Sequence, residues 1–194
     1  MKRALVVVDV QESFRQRPNW AASSNPEIAK QVQRLAETFR ANGEMIVWVL
    51  HIEPGTGTPF DPASGFVRLM DGLEAAEGEQ VITKTSFNAF YTTNLQQLLT
   101  AAGIVEVVVC GIRTEQCAET TARDAAGRGY EVTYVIDATA TTPIEHRDAP
   151  PNRTLDEILA DPRTLQVKEI IARTEYALAG RFATIRTVAE LADA

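Results

Sequence analysis

Three side chains of this 194-residue chain have the type and setting to carry out a reaction together. Asp9 closes the apolar run that begins at Ala4. Lys84 follows the short run Val81–Thr83. Cys117 lies just past the run Ile104–Cys110, in what reads as the first turn of a helix. A thiol there faces the positive end of the helix dipole, which should lower its pKa, and a nearby ammonium should lower it further. A carboxylate within hydrogen-bond reach can take the thiol proton and return it to a leaving group. Such an Asp–Lys–Cys system needs no histidine. Each residue alone also has a plainer reading: Asp9 as a cap, Lys84 as a surface lysine, Cys117 as a small buried residue. Cys110 lies inside its run and takes the buried reading.

Other chemistries lack their residues. The only histidines are His51 and His146, and no HxxxH, HExxH or CxxC occurs, so no metal site is expected. There is no GxGxxG after the first run, no GxxxxGK[ST] and no GxSxG, so neither a nucleotide cradle nor a serine elbow is expected. No cofactor is called for. Nineteen Lys and Arg against 26 Asp and Glu give a net charge of −7, and no basic cluster exists to track phosphates, which argues against a nucleic-acid partner. Ala4–Val8 is too short for a signal peptide or a membrane span, so a cytoplasmic protein with no membrane partner is expected. Two cysteines do not make a disulfide scaffold. With 45% hydrophobic and 23% charged residues the chain is a folding one. Its length suits a single domain over 1–194, able to bury about 70% of its unfolded surface.

The elements that must position the three residues alternate. Ala4–Val10 (ALVVVDV) and Glu44–His51 (EMIVWVLH) read as strands buried on both faces, separated by a helix over Pro26–Asn42 with Ile28, Val32, Leu35 and Phe39 on one side. Val81–Thr83, Ile104–Cys110, Tyr130–Ile136 and Phe182–Arg186 read as four further strands. Thr92–Ala102, Thr114–Arg128 and Leu165–Ala179 read as helices. Strand–helix alternation implies right-handed crossovers and an α/β fold with a parallel sheet covered on both faces. The three residues then share the carboxyl ends of strands, where open α/β sheets bind ligands. Two Pro-rich stretches, Glu53–Gly78 and Ala138–Pro162, read as long loops leaving such ends. They are candidates for a lid or for specificity, and equally for surface decoration or a subunit contact.

Three segments resemble the isochorismatase-like cysteine hydrolase superfamily: Ala4–Phe14 (ALVVVDVQESF), Ile82–Leu95 (ITKTSFNAFYTTNL) and Val107–Asp124 (VVVCGIRTEQCAETTARD). The likeness runs over roughly residues 3–140, and the third segment, strand-Gly-x-x-Thr-x-x-Cys-helix, is the most specific. The resemblance implies a three-layer αβα sandwich with a six-stranded, mostly parallel sheet of order 3-2-1-4-5-6. It implies Asp9, Lys84 and Cys117 as a catalytic triad and a non-proline cis peptide between Ile112 and Arg113. It also implies an oxyanion hole made by the Arg113 and Cys117 N–H groups. The implied activity is cleavage of a small amide or ureido C–N bond through a Cys117 thioester, releasing ammonia or an amine. A homodimer or homotetramer is implied as well.

The chain also departs from the family. Leu50-His51-Ile52-Glu53-Pro54 lacks the Asp-x-His group of zinc-dependent nicotinamidases, and Cys117 argues against isochorismatase's own vinyl-ether reaction. Arg113 is large for its position; it either pairs with a substrate carboxylate or bonds a loop or subunit neighbour. Phe14, His51 and Phe90, with Arg113, are candidates for lining the substrate site. His51 reads equally as a rim histidine, and Trp20 and Phe60 are further candidate walls. A non-amide isochorismatase-type hydrolase and a non-catalytic binding or redox-responsive protein are the competing readings.

Overall fold

The computed structural model describes residues 2–193. Six strands, β1 (Arg3–Val8), β2 (Met45–His51), β3 (Gln80–Lys84), β4 (Glu106–Ile112), β5 (Glu131–Ala140) and β6 (Thr184–Arg186), form one sheet of order β3-β2-β1-β4-β5-β6. Every pairing in it is parallel. The central strands β1 and β4 are apolar on both faces because helices cover both. On one side pack α1 (Ile28–Ala41), which buries Ile28, Val32, Leu35 and Phe39, and α6 (Val188–Ala192). On the other pack α2 (Leu95–Ala102), α3 (Glu119–Gly127) and the end of α5 (Val167–Leu178), through Leu95, Leu99, Ala122, Ala125 and Leu178.

The α/β class and the strand order are as expected; the details differ where tertiary contacts override local pattern. The sheet is wholly rather than mostly parallel. The first strand stops at Val8, because Asp9 turns into a left-handed conformation (φ 56°). The fifth runs on to Ala140 past an irregularity opposite Val109–Gly111. The helix expected from Thr114 begins as a π turn over Thr114–Ala118 before α3.

Both long stretches are built structure. Within 53–78, Phe60 and Met70 are fully buried in the core, and Leu69 bridges Gln11 while Met70 N–H donates to the Val10 carbonyl at 3.1 Å. The stretch is therefore a strap across the exit of β1. Within 138–162, Thr154 and Glu157 close a capping box that starts α4 (Leu155–Ala160), and Arg153 joins Glu145 to Asp161, each at 2.8 Å. Asn25 donates to the Asp137 and Thr139 carbonyls, so the start of this stretch is tied to the turn before α1. Among the described residues no helix is long and apolar enough to cross a membrane.

Candidate active site

The parallel order sets the exits of β1, β2, β3 and β4 side by side, and the chemistry-bearing residues gather there. Lys84 ends β3 and pairs in register with His51, the last residue of β2. Its Nζ donates to Asp9 Oδ2 at 2.7 Å, and both side chains are wholly buried. Lys84 Nζ also lies 3.3 Å from His51 Nδ1. An ammonium only donates, so Nδ1 accepts and the ring proton sits on Nε2, which faces Glu53 Oε1 at 3.5 Å. Burial, and then the Lys84 charge, hold the His51 pKa below its ordinary value. The ring is a neutral prop for the lysine.

Asp9 Oδ1 is buried without a hydrogen-bond partner of its own. Burial raises the Asp9 pKa, against the lowering effect of Lys84 and of the adjacent Cys117 thiol. The turn that carries Cys117 is pinned on two sides: Tyr134 OH donates to the Thr114 carbonyl at 2.7 Å, and Thr114 Oγ1 donates to Thr139 Oγ1 at 2.9 Å. The Ile112–Arg113 peptide is cis. Gln116 and Ala118 both donate to the Arg113 carbonyl. The Arg113 N–H donates to no acceptor among the described residues, and the Cys117 N–H to none outside its own turn.

The thiol overturns one expectation. Burial and the Asp9 carboxylate push the Cys117 pKa up to about 12, and the opposing pull of Lys84 does not offset them. The helix-start argument failed because the residue lies in a π turn ahead of α3 and is only 7% exposed. The Lys84 ammonium still favours the thiolate, but it is shared with Asp9, to which it donates at 2.7 Å.

Two other site residues missed by sequence reasoning hold this geometry. Gln11 accepts from His51 N–H at 2.7 Å and donates to the His51 carbonyl at 3.0 Å, fastening the exit of β1 to that of β2. Its proximity to Asp9 was the available signal. Gly111, at φ 128°, passes so close to β1 that a Cβ would lie 1.9 Å from the Val8 carbonyl oxygen. Only glycine permits that approach.

The expected lining residues divide. Phe14 packs edge-on against Phe60 (5.0 Å between centroids), and Phe60 meets the His51 ring at 5.8 Å, so this wall stands beside the Lys84 end of the cluster. Arg113 is 9% exposed and lies near enough to Cys117 for their charges to interact. The Phe90 ring stacks on Tyr130 at 6.2 Å with the Arg128 guanidinium 4.6 Å from its centre, and it shares a buried apolar cluster with Cys117. The Asn88 side chain accepts from the Phe90 N–H. Among the described residues no group of three or more His, Cys, Asp or Glu side chains could hold a metal ion. An open groove lined by Arg3, Glu106, Tyr130 and Arg186 lies at the amino ends of β1, β4 and β5, the opposite end of the sheet, and holds none of the cluster.

A wholly parallel sheet of this order, covered on both faces, is the fold of the isochorismatase-like α/β hydrolases. The model of the isochorismatase domain matches residues 3–160, and the chain belongs to the isochorismatase family of hydrolases. It is 32% identical to the isochorismatase family protein YddQ of Bacillus subtilis (strain 168), over 76% of this chain and 83% of that one. It is 36% identical to a streptothricin hydrolase of Streptomyces noursei over 72% of this chain and 54% of that one. An isochorismatase from Pseudomonas putida KT2440 superposes with a TM-score of 0.83 at 28% identity, covering 97% of this chain and 89% of that one. N-carbamoylsarcosine amidase from Thermoplasma acidophilum superposes with a TM-score of 0.70 at 26% identity, covering 97% of each.

Proposed function

We propose that this hydrolase is a cysteine amidohydrolase, cleaving a small amide or ureido C–N bond through a Cys117 thioester. The observation that carries the reading is the buried Asp9 carboxylate. One of its oxygens is held by Lys84 at 2.7 Å, the other lacks a partner, and the Cys117 thiol is adjacent. As sulfur attacks the carbonyl carbon, Asp9 takes the thiol proton. The tetrahedral oxyanion accepts from the Arg113 and Cys117 N–H groups, each donor lowering the barrier by about 3–4 kcal/mol. Asp9 then gives its proton to the nitrogen, the C–N bond breaks, and ammonia or an amine leaves. Asp9 next takes a proton from water as its oxygen attacks the thioester. The C–S bond breaks, the acid leaves, and the Asp9 proton returns to sulfur. Lys84 keeps its charge against Asp9 in each ionised state. A thiol protonated at rest fits this scheme, since ionisation coincides with attack. The printed names of two similar proteins, a hydrolase of streptothricin and an amidase, accord with C–N cleavage.

The test is ammonia or amine release from a panel of small primary amides and ureido compounds. Turnover should vanish in Cys117→Ala and fall about 100- to 10,000-fold in Asp9→Asn. The enclosed, protonated thiol favours one second reading, a non-catalytic binding protein. Binding of panel compounds with no C–N cleavage by the wild type would select it.

A further inference from the structure

Cys117 sits in a turn whose hydrogen-bond register differs from that of the helix it leads into. In an α register the Cys117 N–H would donate to the carbonyl four residues back, which belongs to Arg113. That carbonyl instead receives the Gln116 N–H at 3.1 Å and the Ala118 N–H at 3.3 Å, and not the Cys117 N–H. The bond from Ala118 spans five residues, which is the π register. Such turns occur mostly singly in helices and often at functional sites. The extra residue held in this one keeps the Cys117 N–H off the Arg113 carbonyl.

One side chain fixes the helix where the turn ends. Glu119, the first residue of α3, is 4% exposed, and its carboxylate accepts from three side chains on two helices. Oε1 accepts from Arg123 of the same helix, through Nε at 2.9 Å and Nη2 at 2.8 Å. Oε2 accepts from Thr174 Oγ1 at 2.9 Å and from Arg173 Nη1, both on α5. Thr174 is wholly buried, and α5 packs on the turn itself. These bonds are charge-assisted, and the carboxylate stands at a helix start, where the dipole favours it. The middle of α3 is held separately, by Ala122 and Ala125 in the core and by the Ala89 N–H, which donates to Thr121 Oγ1 at 3.1 Å. Closing the turn to an α register would rotate the start of α3 about its axis and swing Glu119 off Thr174 and Arg173. The holding helix α5 lies beyond residues 3–160, where the isochorismatase domain matches.

We infer that Glu119 is a positioning residue. By tying the start of α3 to α5 it locks the π register, which keeps the Cys117 N–H available to the substrate oxyanion and sets the sulfur beside Asp9. The oxyanion half rests on the amidohydrolase reading; the register does not, and it is measured without turnover.

Glu119→Ala cuts the tie, whereas Glu119→Gln keeps an acceptor for Thr174 and Arg173. The charges acting on the thiol are Asp9, from the exit of β1, and Lys84, from the end of β3, so the pH profile of alkylation by iodoacetamide reports where the sulfur lies. In Glu119→Ala the sulfur leaves Asp9, and alkylation at pH 7 should rise at least tenfold, the effect of one pKa unit on the thiolate fraction. Glu119→Gln should keep the wild-type profile. Phe39→Leu, in the core on the opposite face of the sheet, controls for lost stability: at a matched fall in melting temperature its profile should not move. Where Glu119→Ala does not fold, Thr174→Val loses the hydroxyl and should shift the profile the same way, and Thr174→Ser should restore it. A profile in Glu119→Ala equal to the wild type's, or reproduced by Phe39→Leu, overturns the lock; so does an unshifted Thr174→Val where that variant decides. On any panel amide the wild type hydrolyses, Glu119→Ala should lose about 100- to 1,000-fold in kcat with KM little changed, as for one missing oxyanion donor. An unchanged kcat overturns the oxyanion half. A shifted profile in a protein whose wild type turns over no panel amide keeps the register lock and removes the amidohydrolase reading.

Discussion

Lys84 Nζ and Asp9 Oδ2 are 2.7 Å apart, and neither side chain is exposed to solvent at all. Seventy-five positions separate them in the chain, and only the adjacency of β3, β2 and β1 brings them together. A buried pair of this kind contributes little over an apolar pair of equal volume, but either member alone is a charge stranded in the core. Lys84→Met and Asp9→Leu should therefore each destabilise the protein by about 3–5 kcal/mol. The double variant should cost clearly less than the sum, by a coupling of more than about 1 kcal/mol in denaturant melts. Strict additivity would mean that the two charges do not interact.

The resting thiol should behave unlike an activated cysteine. Its pKa is pushed up to about 12, so its reaction with iodoacetamide, read by intact mass, should climb steadily above pH 8 with no plateau near neutrality. Asp9→Asn removes a carboxylate that raises the thiol pKa and frees the Lys84 ammonium that lowers it. Alkylation at pH 7 should then speed up, while Lys84→Met should slow it. A plateau below pH 7 in the wild type would show that the thiolate exists at rest.

Gly111→Ala tests the seam between β1 and β4. The new methyl meets the Val8 carbonyl at 1.9 Å, at a φ of 128° that side chains avoid. The two strands must part, at a cost of about 2–5 kcal/mol. Val8 precedes Asp9, and Gly111 precedes the turn of Cys117, so activity should fall in the fraction that still folds. Unchanged melting and turnover would show the seam to be pliant.

His51 gives a pH signature in stability. Burial and Lys84 depress its folded pKa below the unfolded value of 6.5. Above pH 6.5 neither state protonates it and its contribution is fully present. As pH falls from there toward the folded pKa, the unfolded chain takes up a proton that the folded one refuses, and stability declines. His51→Gln should flatten that segment of the urea-midpoint-against-pH curve. An unaltered curve would assign the decline to other groups.

The alternation of apolar β-branched runs with amphipathic helices determined the α/β class by itself, since strands buried on both faces require crossover helices above and below. Asp9, Lys84 and Cys117 could be grouped because each follows the end of such a run, though each alone had a plainer reading and only the family resemblance singled out the trio. What the sequence could not carry was distance and field. How deeply a thiol is buried and which charges stand beside it depend on strand adjacency and packing; burial, and then the Asp9 carboxylate, reversed the expected direction of the Cys117 pKa against the pull of Lys84. The packing of Phe90 on Tyr130 and Arg128 was not legible for the same reason, since these become neighbours only when α3 and the 86–92 loop pack together. The strap over 53–78 and the short α4 escaped because their order comes from buried Phe60 and Met70 and from one capping box, contacts too irregular to show as a period along the chain. Local pattern fixes which surface an element buries; only packing fixes which charges share a site, and their energies depend on that separation.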